Sequence, residues 1–505
     1  MAKTSILKAY LENRKIEDVN TNLVAYLASL EKVAEVSPLV AKHIVQELVD
    51  QRTHLKLIAS ENFSSLAVQL TMGNLLTDKY AEGFAFHRFY AGCDNVDAIE
   101  AHGTDLAKKL FGSEHAYIQP HSGADANLVA FWAILNTKVQ TPMLEELGIL
   151  NPSDLDDKMW AKVRQATGNQ RLLGLDYYSG GHLTHGYRQN ISAHLFEAHS
   201  YTVDKETGLL DYDAIEKQAL ELKPLILLAG YSAYPRLIDF KRMSEIAKKS
   251  NSVFMVDMAH FAGLVAGKVM TDQYDPIKWA DVVTTTTHKT LRGPRGGMVL
   301  CKEEFADAVD KGCPMVLGGP LPHMLAAKTV AFTEALEPSF STYAHKVVEN
   351  SKALAAALIK EGVVVATGGS DNHLMLIDVR PFNLNGRQAE SALRESGITL
   401  NRNALPFDPN GPWYTSGLRI GTPAITSLGM GVKEMEEVAA IIKLVLSNTK
   451  PTTITKGEKK GELSRARFVT DKNAITKARQ MVQSLLERFN LYPELDLKWL
   501  DHYRN

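Results

Sequence analysis

Short apolar runs alternate with amphipathic stretches through the middle of this chain. The runs at 225–229, 253–256 and 297–300 are continuously apolar, whereas 212–222 carries apolar residues at helical spacing. Continuously apolar strands separated by helices are typical of parallel sheets that are covered by helices on both faces. The pattern therefore predicts an α/β protein with a mostly parallel central sheet.

The composition and the spacing of apolar residues change on both sides of this region. These changes predict that the chain is divided into three parts. Residues 1–75 mix charged and apolar residues at helical spacing with few glycines, which predicts a helical N-terminal arm. Residues 76–340 are expected to form the large domain, with an insertion at about 137–170 that has its own helical pattern. Residues 341–505 are expected to form a smaller α+β domain.

The second half of the chain also predicts several local features. A helical pattern from 323 to 361 is interrupted at Pro338. The segment 450–462 is rich in lysine and threonine, and we expect it to be a loosely ordered linker. Apolar residues recur at helical spacing from 474 to 489, which predicts a helix that packs on the small domain.

Composition narrows the class of protein. The chain has 505 residues, 45% hydrophobic and 23% charged, with a formal net charge of −2, so we expect at least two domains and no nucleic-acid partner. Its three cysteines are widely spaced, which favours a reduced intracellular setting over a disulfide framework. No apolar run reaches the roughly 18 residues of a membrane span, and residues 1–8 lack an apolar signal region. These features predict a cytoplasmic protein without a membrane partner.

The segment 283–297 carries the strongest chemical signal. Four threonines and a histidine precede Lys289, which ends an apolar run, and Arg292 and Arg295 follow in a glycine-rich turn. A lysine attacks a carbonyl only as the neutral amine, and burial or nearby cations lower its pKa enough to supply that form. Most lysines are simply exposed. Lys289 is therefore a candidate for a covalent bond to an aldehyde cofactor only if other residues complete the site.

Several other residues would complete such a site. Asp257 ends an apolar strand about thirty residues before Lys289, and neighbouring parallel strands would present both groups at one sheet edge. Pyridoxal phosphate needs this pair, because its aldehyde takes a lysine and its ring nitrogen takes an acid. Ser122 and Gly123 lie between a strand and a helix start, where backbone amides can bind its phosphate, although an ordinary helix cap remains the alternative. Arg419 has the planar guanidinium that suits a substrate carboxylate.

Two further motifs are open to more than one interpretation. His182 and His185 are three residues apart, but without further ligands they make weak evidence for zinc, and an imidazole stacked on a flat cofactor fits equally well. We therefore predict no metal site. Glu82, two residues after Tyr80, offers a carboxylate for acid–base chemistry, although most glutamates are solvated.

Together these motifs resemble the serine hydroxymethyltransferase family from about residue 57 to 430. The matching segments occur in the family's order, at 57–62, 79–83, 180–186, 232–234, 256–260, 284–297 and 417–424. The resemblance implies a fold-type-I pyridoxal-phosphate transferase. It implies reversible transfer of the serine hydroxymethyl group to tetrahydrofolate, which gives glycine and 5,10-methylenetetrahydrofolate through an aldimine of pyridoxal 5'-phosphate.

The resemblance also implies a role for each matching residue. The implied catalytic residues are Lys289, Glu82, His260, His288 and Tyr80. The implied cofactor-binding residues are Ser122, Gly123, Ala124, His182, Ser232, Asp257, His260, Lys289, Gly318 and Gly319. The implied substrate-binding residues are Ser60, Tyr80, Glu82, Tyr90 and Arg419, and the implied folate-binding residues are Tyr177, Gly181, Leu183, Asn403 and Trp413. The family's usual assembly implies a homodimer with shared active sites, to which each chain lends Tyr80, Glu82, Tyr90, Gly318 and Gly319.

The chain departs from the family's pattern at several of these positions. The family usually has a serine where Ala124 stands and a glutamine or proline where Asp125 stands, and the residues around Tyr177 and Trp413 also differ. These changes leave open a folate-independent β-hydroxy amino acid aldolase or alanine racemase on the same scaffold. A non-catalytic binding protein is a third alternative, which the intact Lys289 argues against.

Overall fold

A seven-stranded sheet forms the centre of the protein. The structure, a computed structural model, describes residues 5–12, 14–149 and 151–504. The strands of this sheet are β1 His115–Tyr117, β2 Arg171–Leu175, β3 Glu197–Tyr201, β4 Ile226–Gly230, β5 Val253–Asp257, β6 Val282–Thr286 and β7 Gly297–Cys301. Their order is β1-β7-β6-β5-β4-β2-β3, and only β7 runs antiparallel to its neighbours. The predicted mostly parallel sheet is confirmed.

Helices account for most of the remaining regular structure. Those of eight residues or more in the described part of the chain are α1 Thr21–Val36, α2 Pro38–Thr53, α3 Asp94–Phe111, α4 Gly123–Leu135, α5 Asp157–Gly168, α6 Tyr212–Leu222, α7 Phe240–Ser250, α8 Glu303–Asp310, α9 Pro322–Ala335, α10 Pro338–Lys360, α11 Gly386–Glu395, α12 Val432–Ser447 and α13 Lys472–Arg488. Shorter α-helices span Ile6–Glu12, Leu66–Thr71, Thr141–Glu146, Ser192–Leu195, Ala262–Ala266, Pro276–Trp279, Gly312–Met315, Gly411–Tyr414, Pro423–Ser427 and Leu497–Leu500. Pro338 is the first residue of α10, which confirms the predicted interruption.

The apolar strands are buried because the sheet lies between two layers of helices. In β5, Phe254 and Val256 pack into one hydrophobic cluster, whereas Val253 and Met255 pack into another. Successive side chains of a strand point to opposite faces, so both faces of this strand must be apolar. This explains why the sequence shows continuous apolar runs instead of strict alternation.

A second, four-stranded antiparallel sheet lies in the C-terminal part of the chain. Its strands are β8 Val364–Val365, β9 Leu374–Asp378, β10 Asn401–Asn403 and β11 Gly417–Gly421, in the order β8-β9-β11-β10. The apolar stripe of α13 packs into the core beside this sheet through Ala478, Val482 and Leu485. The expected packing of the last long helix is therefore confirmed.

The predicted loose linker at 450–462 is partly wrong. Thr449–Thr453 forms strand β12, which pairs with β13 at Leu463–Thr470 in an antiparallel hairpin. Threonine favours strands, but its partner strand lies beyond the lysine-rich turn, so the pairing is not visible in the local pattern. Gln388 of α11 donates a hydrogen bond to the Ser464 carbonyl at 2.7 Å, which links the hairpin to helix α11.

The division into three parts stays a prediction. The arm contains helices α1 and α2, and their core includes Leu495 and Leu500 from the C-terminal end. The predicted insertion contains α5, as its helical pattern indicates. Helix α10 crosses the predicted boundary at 341, since Phe340 and Val347 pack in the large core. Residues 1–4, 13, 150 and 505 of the predicted parts lie outside the described residues. Within the described ranges, no helix is both long and apolar enough to cross a membrane.

Candidate active site

Lys289 and Asp257 lie at the same edge of the central sheet. Asp257 is the last residue of β5, and Lys289 follows β6 by three residues. The two strands are parallel neighbours, with Asp257 opposite Thr284. The prediction that both side chains reach one edge is confirmed. Lys289 lines a cavity of about 450 Å³ at this edge.

The threonines before Lys289 fix its backbone. The hydroxyl of Thr286 donates to the Ala259 carbonyl at 3.0 Å, and the hydroxyl of Thr287 donates to the Pro294 carbonyl at 2.6 Å. Both side chains are buried, so these bonds satisfy hydroxyls that would otherwise cost free energy. The threonine run thus anchors the strand end to the loops on either side and holds the lysine in place.

Asp257 is an ionised, buried carboxylate. It accepts hydrogen bonds from His185 Nε2 at 3.2 Å, Asn127 Nδ2 at 3.0 Å and the Ala259 amide at 3.0 Å. Burial by itself would raise the pKa of Asp257, but the hydrogen bonds from His185 and Asn127 hold it well below its usual range. Asn127 lies on α4, and its contact with Asp257 could not be predicted from the local sequence.

His185 serves this carboxylate and is not free to bind a metal. Its Nδ1 accepts a hydrogen bond from the His182 amide at 3.3 Å, and its Nε2 contacts Asp257. The neighbouring His182 ring bonds the Thr184 hydroxyl through Nδ1 at 2.7 Å and lines the cavity. Burial lowers the pKa of His182 to about 4, so its ring is neutral near pH 7.

The Lys289 amine is poised to act as a nucleophile. Burial lowers the pKa of Lys289 to about 8; Asp257 opposes this shift, and Arg419 and Arg295 add to it. Among the residues that the structure describes, none accepts a hydrogen bond from the Lys289 ammonium. A half-buried amine with a lowered pKa and no bonding partner is suited to react with an aldehyde.

Helix α4 begins at the turn formed by Ser122 and Gly123. The Ser122 hydroxyl accepts a hydrogen bond from the Asp125 amide at 3.2 Å and caps the helix. Gly123 allows the close approach of this turn to β6, because a Cβ added there would lie 2.6 Å from Cγ2 of Thr286. The Ser122 hydroxyl also donates to Oδ2 of Asp125 at 2.9 Å. The unusual carboxylate at 125 is therefore turned toward the serine.

Arg419 also lines the cavity and offers a free guanidinium edge. On β11, it donates from Nη1 to the Ser232 carbonyl at 2.7 Å and from Nε to Oδ1 of Asn401 at 3.1 Å. No carboxylate lies within ion-pair distance of Arg419 in the part of the chain that the structure describes. Burial lowers its pKa to about 10, which leaves it charged near neutral pH. A buried, unpaired guanidinium suits an anionic ligand.

Most of the predicted site residues surround one cavity. Those that line it are Ser60, Tyr177, Gly181, His182, Leu183, Ser232, His260, His288, Lys289, Asn403 and Arg419. The ring of His260 stacks on that of His373 at a centroid distance of 5.5 Å, with Nδ1 of the first 3.3 Å from Nε2 of the second. His373 was not predicted, because it lies 113 residues from His260 in the sequence and nothing in its local sequence indicates this contact.

A second group of predicted residues lies outside this cavity. Tyr80, Glu82, Tyr90, Gly318 and Gly319 are absent from its lining. Tyr80 packs edge-on against Tyr90 at 4.9 Å, and Gly319 lies beside the Tyr80 ring. Trp413 stands at the outer rim, 60% exposed, with the Arg402 guanidinium 5.3 Å from its ring centre.

Comparisons with known proteins agree with the arrangement of these residues. A family model described as serine hydroxymethyltransferase matches residues 33–147 and 158–442. A protein named serine hydroxymethyltransferase from Treponema pallidum (strain Nichols) is 60% identical over 496 residues, which cover 98% of this chain and 86% of that relative. Proteins of the same name from Salinispora tropica and from Chlamydia trachomatis serovar D are 53% and 50% identical, over 95% and 98% of this chain and 99% of each relative.

Proposed function

Because this chain belongs to the serine hydroxymethyltransferase family, we propose that the cavity around Lys289 transfers the hydroxymethyl group of serine reversibly to tetrahydrofolate. The products are glycine and 5,10-methylenetetrahydrofolate. One observation carries the proposal: Lys289 with its lowered pKa and the unpaired Arg419 face the same cavity, beside the ionised Asp257. The name shared by the relatives favours this transferase over the folate-independent aldolase or alanine racemase.

Lys289 and His182 of the cavity lining, together with Asp257 and the turn at Ser122 outside that lining, fit pyridoxal 5'-phosphate. Lys289 would hold its aldehyde carbon, Asp257 its ring nitrogen and His182 the face of its ring, while the turn at Ser122 and Gly123, with the backbone of Ala124, would hold its phosphate. The free amine of Lys289 and the ionised carboxylate of Asp257 support this assignment. When bound, the cofactor supplies an electron sink for a bond broken at the α-carbon of serine.

The chain's own residues would bind and orient serine. Arg419, with Ser60 beside it in the cavity, is proposed to hold the serine carboxylate through its free guanidinium edge. Ser232 and His260 line the same wall and would keep the substrate's reacting end against Lys289. We propose that Glu82, supplied by a second copy of the chain, holds and moves the proton of the serine hydroxyl group.

The outer part of the cavity is proposed to bind tetrahydrofolate. The residues implied for this role are Tyr177, Gly181, Leu183, Asn403 and Trp413. The first four line the cavity, and the exposed Trp413 ring stands at its rim with apolar surface available to a flat ligand. Binding here would bring the folate next to serine without contact to the buried Asp257.

A homodimer with shared sites is proposed from the second group of residues. Tyr80, Glu82 and Tyr90 lie outside the cavity of their own chain, and large apolar side chains beside them are exposed. Phe86 is 71% exposed and Phe89 69% exposed. Contiguous exposed apolar residues mark a protein–protein interface. Docking of a second copy would cover them and carry Glu82 to the partner's Lys289 cavity.

Mixed dimers test this sharing directly. Lys289→Ala and Glu82→Gln chains are each expected to be inactive alone. Random mixing puts about half of the dimers in the mixed form, in which one of two sites is intact, so about a quarter of the wild-type activity should return. The measurement is glycine formation after the two chains are denatured and refolded together. No recovery, with dimers shown by light scattering, contradicts a shared site, and refolding each variant alone is the control.

The pH dependence of cofactor capture follows from the lowered pKa of Lys289, about 8. Below that pH the ammonium predominates and cannot attack, whereas above it the amine is neutral. The rate constant for capture of pyridoxal 5'-phosphate by cofactor-free protein should therefore rise about tenfold between roughly pH 7 and pH 9 and then level off. Stopped-flow absorbance measures this rate, and Lys289→Ala protein is the control. A rate that continues to climb tenfold per pH unit above pH 9 would show an ordinary lysine.

Glycine formation from serine, with and without tetrahydrofolate, tests the proposed function. Purified protein loaded with pyridoxal 5'-phosphate should form glycine rapidly only when tetrahydrofolate is present, and 5,10-methylenetetrahydrofolate should appear in equal amount. Equal glycine formation without folate would instead favour the aldolase. Racemisation of alanine as the faster reaction would favour the racemase.

We also propose that the protein acts in the cytoplasm. Its cysteines at 93, 301 and 313 are all buried and free. Unpaired buried thiols suit a reducing compartment. The three unpaired cysteines therefore support the proposed cytoplasmic location.

A further inference from the structure

Lys328 is a fully buried lysine that the proposed reaction does not use. It lies on α9 and is 1% exposed, whereas most lysines are solvated. Its ammonium donates to the carbonyls of Ile118 at 2.6 Å, Pro120 at 2.9 Å and Gly297 at 2.9 Å. A neutral amine cannot supply three N–H donors, so this geometry describes the charged form.

The charge of Lys328 has no direct counterion in the protein. No carboxylate of a described residue lies within ion-pair distance of it. The nearby buried Glu100 is already bound by Arg88 at 2.6 Å and Gln119 at 2.7 Å. Burial lowers the pKa of Lys328 to about 7, and the charges of Glu100 and Asp125 act in the opposite direction. An uncompensated buried cation costs several kcal/mol, so a role that requires it is expected.

The three carbonyls all belong to the base of the turn at Ser122. Ile118 and Pro120 lie between β1 and this turn, and Gly297 opens β7. The Gly297 amide donates to the Pro120 carbonyl at 2.8 Å, and a Cβ added at Gly297 would lie 2.1 Å from the Ser122 carbonyl oxygen. Because its ammonium donates hydrogen bonds to all three carbonyls, Lys328 holds in place the backbone that leads into the N-terminus of α4.

We propose that Lys328 is a positioning residue for the phosphate-binding turn, and that its buried charge is balanced by the phosphate of the cofactor. The inference rests on the proposed assignment of pyridoxal 5'-phosphate to this site. The ammonium bonds the backbone that leads into the turn, and the amides of the α4 N-terminus would bond a phosphate bound there, so both would favour a dianion. Asp125, whose carboxylate bonds the Ser122 hydroxyl, opposes that preference from the other side.

The preference for pyridoxal 5'-phosphate over pyridoxal tests the proposal, because the two aldehydes differ only in the phosphate. Equilibrium dissociation constants are measured by fluorescence for both ligands. Lys328→Met should weaken binding of the phosphate form about tenfold or more and change that of pyridoxal by less than about twofold. Adding Asp125→Asn to Lys328→Met should restore part of the preference, because it removes the opposing charge.

Control variants distinguish the positioning role of Lys328 from a general effect on the stability of the protein. Phe332→Leu alters a fully buried side chain on the same helix and should leave the preference for the phosphate form unchanged. If Lys328→Met protein is not recovered folded, Lys328→Gln carries the same test, because its neutral amide still donates two hydrogen bonds. Equal weakening of both ligands, or no change in either, overturns the role of Lys328. Wild-type protein that binds neither aldehyde would instead overturn the cofactor assignment.

Discussion

Replacing Lys289 with alanine is expected to lower the rate of serine cleavage by at least about 10⁴-fold. Among the described residues, Lys289 is the one amine that lines the cavity, so without it the cofactor can no longer be held by a covalent bond. The fold should survive, because Lys289 makes no side-chain hydrogen bond to the residues that the structure describes. The visible absorption of the cofactor-loaded protein should shift or disappear, and glycine formation measures the loss of rate.

A matched control for this change is Lys278→Ala. Lys278 has an exposed side chain in a weak surface ion pair with Asp272, at 3.7 Å. Its loss should leave both absorption and turnover at the wild-type level. Lys289→Ala protein that keeps turnover within tenfold of wild type, with an unchanged absorption spectrum, would contradict the assigned role of the lysine.

Replacing Asp257 with asparagine is expected to lower kcat about 10²- to 10³-fold. The two residues have nearly the same shape, and His185 can still donate to the remaining carbonyl oxygen. What is lost is the ionised carboxylate, whose pKa is held well below its usual range by His185 despite burial. Without that charge the ring nitrogen of the cofactor is not kept protonated, and the electron sink is weakened.

Asn127→Ala distinguishes the effect of the Asp257 charge from the effect of the hydrogen bond that Asn127 donates to it. Asn127 donates to Asp257 at 3.0 Å and also bonds the hydroxyls of Thr184 and Thr284. The substitution therefore removes one of the hydrogen bonds that Asp257 accepts but keeps the carboxylate. The loss in kcat should stay within about tenfold, which is the effect of one hydrogen bond to a charged group. Steady-state kinetics with serine and tetrahydrofolate measures both variants. A loss for Asp257→Asn no larger than that for Asn127→Ala would show that the carboxylate's charge is not needed.

Local patterns allowed prediction of the sheet and of the residues that lie on its strand ends. The apolar runs allowed prediction of β4, β5 and β7, because both faces of a strand that is covered on both sides are apolar. Asp257 could be predicted because it ends such a run, and Lys289 because it follows the threonine-rich strand β6 by three residues. The edge of a parallel sheet then brings them together without further information.

Contacts between distant segments could not be predicted in the same way. Asn127, His373 and Lys328 act through partners more than a hundred residues away in the sequence. The orientation of Asp125 was also open, because the sequence shows a carboxylate at this position but not its hydrogen bond to Ser122. Such contacts depend on tertiary packing, which residue spacing alone does not encode.

The most direct test of the central assignment is to locate the lysine that bonds the cofactor. The protein is loaded with pyridoxal 5'-phosphate, reduced with borohydride to make the bond permanent, digested and analysed by peptide mass spectrometry. Lys289 is half-buried, Lys328 is fully buried and both have lowered pKa values, but of the two only Lys289 faces the cavity. The modification is predicted on the peptide that contains Lys289. Modification of Lys328 or of another lysine in its place, or no modification at all, would contradict the account.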